Sequence, residues 1–257
     1  MPICRLCGAS SRFVKSHIIP EAFFRVLRRG GETPLLIAGA VGQVPRQRPI
    51  GVYDREILCA TCEGKFLQWD TYGIDVLLTR FDHFFKPILN EEKIVGYEAS
   101  DIDKIELLDF LTSIMWRASV SSQLFYQKVQ LGPYEAKIRD CMLAQVGHAP
   151  ESVDVVFSRW DDGDDDRLPT NGLMNPYLER WDGVNAYRLY LGKIIAYVKF
   201  DKRSFGETFA KFSLRNSEHL RIISRSLAES KDLVAMQETA LASHRNLAVL
   251  RNRKSAI

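Results

Sequence analysis

Two Cys-x-x-Cys pairs in the first quarter of this 257-residue chain constrain its fold more than any other feature. The first pair is Cys4 and Cys7, and the second is Cys59 and Cys62. A two-residue spacer lets both sulfurs of a pair point at one ion, and four thiolates form the closed tetrahedral set that is typical of structural zinc. We therefore predict that one zinc ion joins two segments that are distant in sequence.

Two other uses of these cysteines fit the sequence less well. Disulfides need an oxidising compartment, whereas the chain opens Met-Pro-Ile-Cys, where we recognise no signal peptide. A redox-active Cys-x-x-Cys usually occurs once, near a βαβ pattern, and here it occurs twice. Cys141, the fifth cysteine, lies alone in an apolar helical pattern and is predicted to be a small buried hydrophobe. We expect a protein of the reducing cytoplasm.

A histidine lies between the two pairs, in Ser16-His17-Ile18-Ile19-Pro20. The order Cys-x-x-Cys, His-Ile-Ile-Pro, Leu-Cys-x-x-Cys resembles the HNH endonucleases, also called ββα-metal or His-Me finger enzymes. It is most similar to the branch with a four-cysteine zinc, the endonuclease VII-like branch. The resemblance covers residues 1–85, about a third of the chain. It implies a zinc-stapled ββα-metal module and cleavage of phosphodiester bonds.

The resemblance also implies roles for three residues. His17 matches the histidine that ends the first strand and acts as general base on the attacking water. Asp54 stands five positions before the third cysteine, where the family usually has an asparagine that orients the histidine. Glu63 stands directly after the fourth cysteine, where the family has the ligand of the catalytic cation. A carboxylate oxygen suits Mg²⁺ or Mn²⁺, which would be the second metal beside structural zinc.

This sequence departs from the family pattern at several positions. Asp54 and Glu63 replace the usual residues at two of the three sites, and Ser16 stands where many relatives have a second metal ligand. Asp70, seven residues after Glu63 and on the same helical face, is a candidate supplementary ligand. A reduced ligand set predicts weaker binding of the cation or a lost activity.

Five arginines of this region are candidate phosphate contacts. Three end a short helix that begins at Pro20, and two lie between prolines in the loop of residues 32–53. The first three would equally suit the negative end of the helix dipole, and the other two would equally suit a solvated loop. The five are Arg25, Arg28, Arg29, Arg46 and Arg48.

The remaining sequence predicts an α+β protein in two parts. Residues 1–85 form the zinc-binding, HNH-like module, whose last helix runs from Cys62 to Phe85. Residues 86–257 form a mainly helical α+β region of unknown role, with strands and a β-hairpin at about 152–200 and helices at the C-terminus. One of its helices follows the capping pattern that begins at Ser100, and another is expected over residues 134–146.

Composition limits the function classes. The net charge is only +3, so binding to nucleic acid must use a local patch rather than the field of the whole protein. No apolar run has the length of a bilayer span, so no membrane partner is expected. The leading hypothesis is a metal-dependent endonuclease acting in restriction or phage defence, with DNA favoured over RNA. The alternative is a catalytically inactive, zinc-stapled module that binds nucleic acid or protein, and residues 86–257 could bind a partner protein or a second copy.

Overall fold

The computed structural model describes most of the chain and leaves nine short segments out. The described residues are 2–27, 35–36, 44–48, 50–99, 101–144, 148–162, 173–181 and 183–254.

The N-terminal region contains short elements joined by loops. In chain order these are strand β1 (Ser16–His17), helix α1 (Glu21–Arg25), and strands β2 (Leu35–Leu36), β3 (Arg46–Gln47) and β4 (Tyr53–Asp54). Strands β1 and β4 pair antiparallel, with His17 opposite Tyr53, and β2 pairs with β3 inside the segment that separates them. The predicted insertion between the two strands is therefore confirmed.

The helix that follows is shorter than predicted. Helix α2 spans Ala60–Ile74 and continues as a π-helical stretch over Asp75–Thr79. Arg80 then leaves the helical region, and a separate four-residue helix, α3, covers Phe81–Phe84. One continuous helix to Phe85 was therefore wrong in detail. The chain does leave the helix before Pro87, as expected of a residue that cannot donate a backbone hydrogen bond.

The rest of the chain combines a large sheet with helices. Its elements are β5 (Lys86–Asn90), β6 (Lys93–Ala99), α4 (Lys104–Val120), a 3₁₀ turn (Leu124–Tyr126), α5 (Pro133–Leu143), β7 (Val153–Trp160), β8 (Tyr177–Trp181), β9 (Val184–Leu191), β10 (Ile194–Phe200), α6 (Glu207–Ala210), β11 (Leu220–Arg225) and α7 (Lys231–Lys254). Seven strands form one sheet in the order β5-β6-β11-β7-β10-β9-β8. All neighbours in it are antiparallel except β7 and β11, which are parallel.

The second region is α+β as predicted, but its strands extend beyond the predicted segment of about 152–200 and form a seven-stranded sheet. The predicted hairpin is confirmed as β9 and β10, with Gly192 at φ 69° in its turn. The unpredicted hairpin of β5 and β6 turns at Glu91 and Glu92, which adopt φ 47° and 67°. A Glu-Glu pair carries none of the Asn or Gly that usually signals such a turn.

Helix α4 lies against α2 and the sheet. Asp103 caps it by accepting hydrogen bonds from the backbone nitrogens of Ile105 and Glu106 at 3.0 and 2.9 Å. Ser100, the residue predicted to open the cap, lies outside the described residues. A Cβ on Gly73 of α2 would lie 2.2 Å from the ring of Phe110, so glycine permits the close approach of the two helices. The resulting core is continuous between the N-terminal region and the sheet.

A buried ion pair fastens α7 to the face of the sheet. Asp232, in the first turn of α7, accepts from Arg188 Nη2 at 3.1 Å and from the Tyr190 hydroxyl at 2.8 Å, and Arg188 Nη1 lies 2.9 Å from its Oδ1. We expect Asp232→Ala to lower the free energy of unfolding by about 3–5 kcal/mol, because it removes the fully buried carboxylate of a buried guanidinium and leaves only the more distant Glu179 as its described ion-pair partner. Urea denaturation measures this. Asp201→Ala, which removes a pair with the exposed Arg203, serves as control and should have a much smaller effect. Equal losses in the two variants would contradict the prediction.

No helix in the described part of the chain has both the length and the apolar character needed to cross a bilayer.

Candidate zinc centre and adjoining polar site

The four predicted cysteines meet in space. Their sulfur atoms all lie within 4.8 Å of one another, and Cys7 Sγ is 3.9 Å from Cys59 Sγ. Zinc–sulfur bonds of about 2.3 Å in a tetrahedron would separate the sulfurs by about 3.8 Å. Cys4, Cys59 and Cys62 are buried, Cys7 is exposed, and none of them forms a disulfide. The cluster can hold a metal ion, and its geometry fits zinc.

Backbone hydrogen bonds hold the two pairs together. Gly8, at φ 75°, turns the chain after Cys7 and donates to the Cys4 carbonyl at 2.9 Å. Arg5 N donates to the Ile57 carbonyl at 2.8 Å. The backbone nitrogen of Cys59 donates a hydrogen bond to Cys4 Sγ at 3.5 Å. The second pair thus sits at the start of α2, directly against the first.

The thiols of the cluster have strongly perturbed pKa values. Burial raises the pKa of Cys59, but hydrogen bonds from the Cys62 backbone and the Ser11 hydroxyl outweigh it and lower that pKa to about 6. Burial and the neighbouring sulfurs of Cys59, Cys7 and Cys4 raise the pKa of Cys62. Four sulfurs this close cannot all ionise without a cation to neutralise them, so the donor set itself fits a bound metal ion.

The ring of His17 lies at the end of β1, beside Tyr53. The two ring centroids are 5.8 Å apart in an edge arrangement. Burial lowers the pKa of His17, although the Glu21 carboxylate and the Ile50 carbonyl oppose that effect. The imidazole is therefore neutral near pH 7. Its Nε2 is buried and makes no hydrogen bond to any residue that the structure describes.

Glu63 lies in the first turn of α2 and faces β1. The fully buried Ser16 donates its hydroxyl proton to Glu63 Oε2 at 2.6 Å. Burial raises the pKa of Glu63, while the Ser16 hydrogen bond and the nearby Arg117 act in the opposite direction. Ser16, which stands at the position of a second metal ligand in the family pattern, therefore orients the carboxylate in this structure.

Asp70, the candidate supplementary ligand, is bound by an arginine from α4. Arg117 Nη1 and Nη2 donate to its two oxygens at 2.9 and 2.6 Å. The side chain of Asp70 is 18% exposed and that of Arg117 is 0% exposed. Both oxygens of this carboxylate are thus already occupied by a charge-assisted pair.

Asp54 is buried at the end of β4, where several donors surround its carboxylate. Glu56 N donates to Oδ1 at 2.9 Å, and Oδ2 accepts from the Ser121 hydroxyl at 2.8 Å and from Ser122 N at 3.0 Å. Burial raises the pKa of Asp54, but these hydrogen bonds outweigh it and the pKa is lowered. Within the described structure, none of this carboxylate's hydrogen bonds goes to the His17 ring.

Three of the five candidate phosphate contacts lie in the described part of the chain. Arg25 is exposed and pairs with Glu21 at 2.9 Å on α1. Arg46 is exposed on β3, and Arg48 is partly buried. Arg28 and Arg29 lie outside the described residues.

The structure brings some of the predicted residues together directly and others only through shared neighbours. Ser16 and Glu63 are in contact, and Asp70 contacts Arg117. The His17 ring and Glu63 both interact electrostatically with Asp70 and Arg117. In the described part of the chain, the His17 Nε2 atom makes no hydrogen bond to the Glu63 carboxylate.

Arg117 was not among the predicted site residues. One signal was present in the sequence, because an arginine that follows the apolar run Ile114–Trp116 on a buried helix needs a buried partner. The identity of that partner depends on the tertiary packing of α4.

The described residues contain no second group of three metal-ligating side chains besides the four cysteines. Of the two carboxylates on this face of α2, Asp70 is bound by Arg117, whereas Glu63 accepts a hydrogen bond from Ser16.

No known protein family, curated protein or solved structure matches this chain.

Proposed function

We propose that the chain is a zinc-stapled, metal-dependent endonuclease of the HNH type that hydrolyses phosphodiester bonds of DNA. The observation that carries the proposal is the approach of the end of β1 to the first turn of α2, where Ser16 Oγ lies 2.6 Å from Glu63. An imidazole and a carboxylate on these two elements are the groups that such a hydrolysis uses. The cellular setting that we propose is cytoplasmic, in restriction or phage defence.

His17 would act as the general base. Its lowered pKa keeps the ring neutral at pH 7, and Nε2 has no partner among the described residues that would compete for a water proton. Tyr53 packs against the ring and Arg117 holds the His17 carbonyl at 2.8 Å. Asp54 would act indirectly, because its hydrogen bonds fix the end of the strand opposite His17.

Glu63 would hold the catalytic Mg²⁺ or Mn²⁺. One carboxylate, with water and phosphate oxygens as further ligands, is an ordinary protein contribution to a Mg²⁺ site. When bound, such an ion neutralises phosphate charge and stabilises the leaving oxygen. The Ser16 hydrogen bond would orient the carboxylate toward its ligand.

The distribution of charge supports a polyanionic substrate. Residues 1–65 contain ten Lys and Arg against five Asp and Glu, whereas the whole chain has 35 against 32. Two of these cations lie close to His17, because Lys15 Nζ and Arg55 Cζ are 5.3 and 5.6 Å from the Tyr53 ring. Both side chains are exposed and could contact phosphates on either side of the site.

A second candidate is a binding module that has lost catalysis. The observations that favour it are the buried Nε2 of His17 and the lack, among the described residues, of a second group of three metal-ligating side chains. Such a module would keep the zinc cluster and the cationic surface and would bind nucleic acid or protein without hydrolysis.

Incubation of purified protein with supercoiled plasmid and single-stranded DNA, with and without Mn²⁺, tests the proposal. The nuclease predicts cleavage that depends on Mn²⁺ in protein that carries one zinc per chain. Salt-sensitive DNA binding, measured by fluorescence anisotropy, without any cleavage would favour the binding module. If the protein neither cleaves nor binds DNA, that result would contradict a role in acting on DNA.

A further inference from the structure

The C-terminal end of α4 bonds to the three elements that carry His17, Asp54 and Glu63, although it lies outside residues 1–85. Arg117 occupies its last turn, Ser121 is its C-cap residue and Ser122 follows. We propose that these three residues, the α4 end cluster, position the site and that the site is incomplete without them. The inference deepens the proposed function, and it rests on that function for its catalytic readout.

Arg117 uses its whole guanidinium group for this purpose. Its side chain is fully buried, and its five N–H donors find acceptors at the His17 carbonyl, both oxygens of Asp70, and the carbonyl and hydroxyl of Ser113. The group also lies over the Phe66 ring at 4.9 Å. A lysine could not satisfy these acceptors, because it lacks the planar fork.

Two elements of the site are fixed by these bonds. The bond to the His17 carbonyl, 2.8 Å long, holds the backbone of the residue that carries the base. The pair with Asp70 holds α2, and Asp70 lies seven residues after Glu63 on the same face of that helix. Arg117 therefore sets the position of β1 relative to the helix that carries Glu63.

The serines fix the third element. Ser121 Oγ, Ser122 N and Ser122 Oγ all donate to Asp54 Oδ2, at 2.8, 3.0 and 3.1 Å. Asp54 ends β4, the partner strand of β1. One end of α4 thus bonds to β1, β4 and α2, and each bond is a directional polar contact rather than general packing.

Arg117→Lys tests the proposal in the full-length chain. We expect kcat for Mn²⁺-dependent DNA cleavage to fall about 10- to 100-fold with KM and zinc content unchanged, because the reacting groups are displaced while substrate contacts remain. The ring nitrogen resonances of His17 should also shift in ¹⁵N-histidine NMR. His17→Gln assigns those signals among the five histidines of the chain.

Arg188→Lys is the matched control, because Arg188 is a second buried arginine, on β9 of the sheet, whose described polar partners include Asp232 of α7 and no residue of the candidate site. It should lower Tm while leaving kcat and the His17 resonances as in the wild type. Unchanged kcat and resonances in Arg117→Lys would overturn the proposal, and so would equal changes in both variants. If Arg117→Lys does not fold, the double variant Ser121→Ala, Ser122→Ala replaces it. This variant keeps the Arg117–Asp70 ion pair, and the same changes in kcat and in the His17 resonances are measured.

The two proposals fail in different ways. A wild-type protein that cleaves no DNA would remove the proposed function, and the NMR comparison of Arg117→Lys with Arg188→Lys would still decide whether the α4 end cluster positions His17.

Discussion

Replacing His17 by alanine is expected to slow Mn²⁺-dependent DNA cleavage by about 10²- to 10⁴-fold, the usual contribution of a positioned general base. The zinc content should stay at one per chain, because His17 is not part of the cysteine cluster. Initial rates of plasmid nicking and metal analysis measure the two quantities. The wild-type rate should rise with pH through a pKa below 6.5, since burial lowers the pKa of His17 and only the neutral ring accepts a proton.

His83→Ala provides the matched control for this experiment. His83 is an exposed histidine of α3 whose ring packs on the neighbouring Phe84 at 5.2 Å. Its replacement should leave the rate unchanged, whereas Glu63→Ala should cause a loss comparable to that of His17→Ala. Cleavage that survives in His17→Ala would remove the assignment of His17 as the base.

Cys59→Ser is expected to destabilise the protein by at least about 10 °C in Tm and to reduce zinc below one per chain. Binding of structural zinc is worth about 10–16 kcal/mol in zinc-finger peptides and is also folding free energy. In a chain of this size each kcal/mol corresponds to about 2–4 °C. The loss should reach the whole protein, since Cys59 belongs to the same core as the α4 residue Trp116. Thermal unfolding and metal analysis measure both effects.

Cys141→Ser is the control for Cys59→Ser. It distinguishes the effect of losing the metal from the effect of replacing a cysteine elsewhere in the chain. Cys141 is a half-buried residue of α5 outside the four-sulfur group. Its replacement should leave the zinc content unchanged and lower Tm only slightly. Thermal unfolding of Cys59→Ser that matches the wild type would show that the cluster does not stabilise the fold.

The four-cysteine cluster could be predicted because its signal is local. The two-residue spacing within Cys4–Cys7 and within Cys59–Cys62 indicates that the four sulfurs can bind one ion, whatever residues separate the two pairs. The turn at Gly192 likewise follows from a glycine between two alternating apolar segments.

The large sheet could not be predicted in the same way. The turn of the β5–β6 hairpin places Glu91 and Glu92 at positive φ, which their own preferences disfavour. The register of paired strands and tertiary packing impose that conformation. Strand β11 lies in a polar stretch, where its parallel pairing with β7 rather than its composition decides its structure.

The amino-acid sequence alone determined the four sulfur ligands, the proximity of β1 to the start of α2, and the presence of His17 and Glu63 in that region. Only the tertiary structure decided how their side chains are held. Asp70 is bound by Arg117 and Asp54 by Ser121 and Ser122, because α4 packs across the strands and α2. These partners are 47 to 68 residues apart in sequence. Hydrogen bonds over such separations depend on the packing of whole elements, which no local pattern of residues encodes.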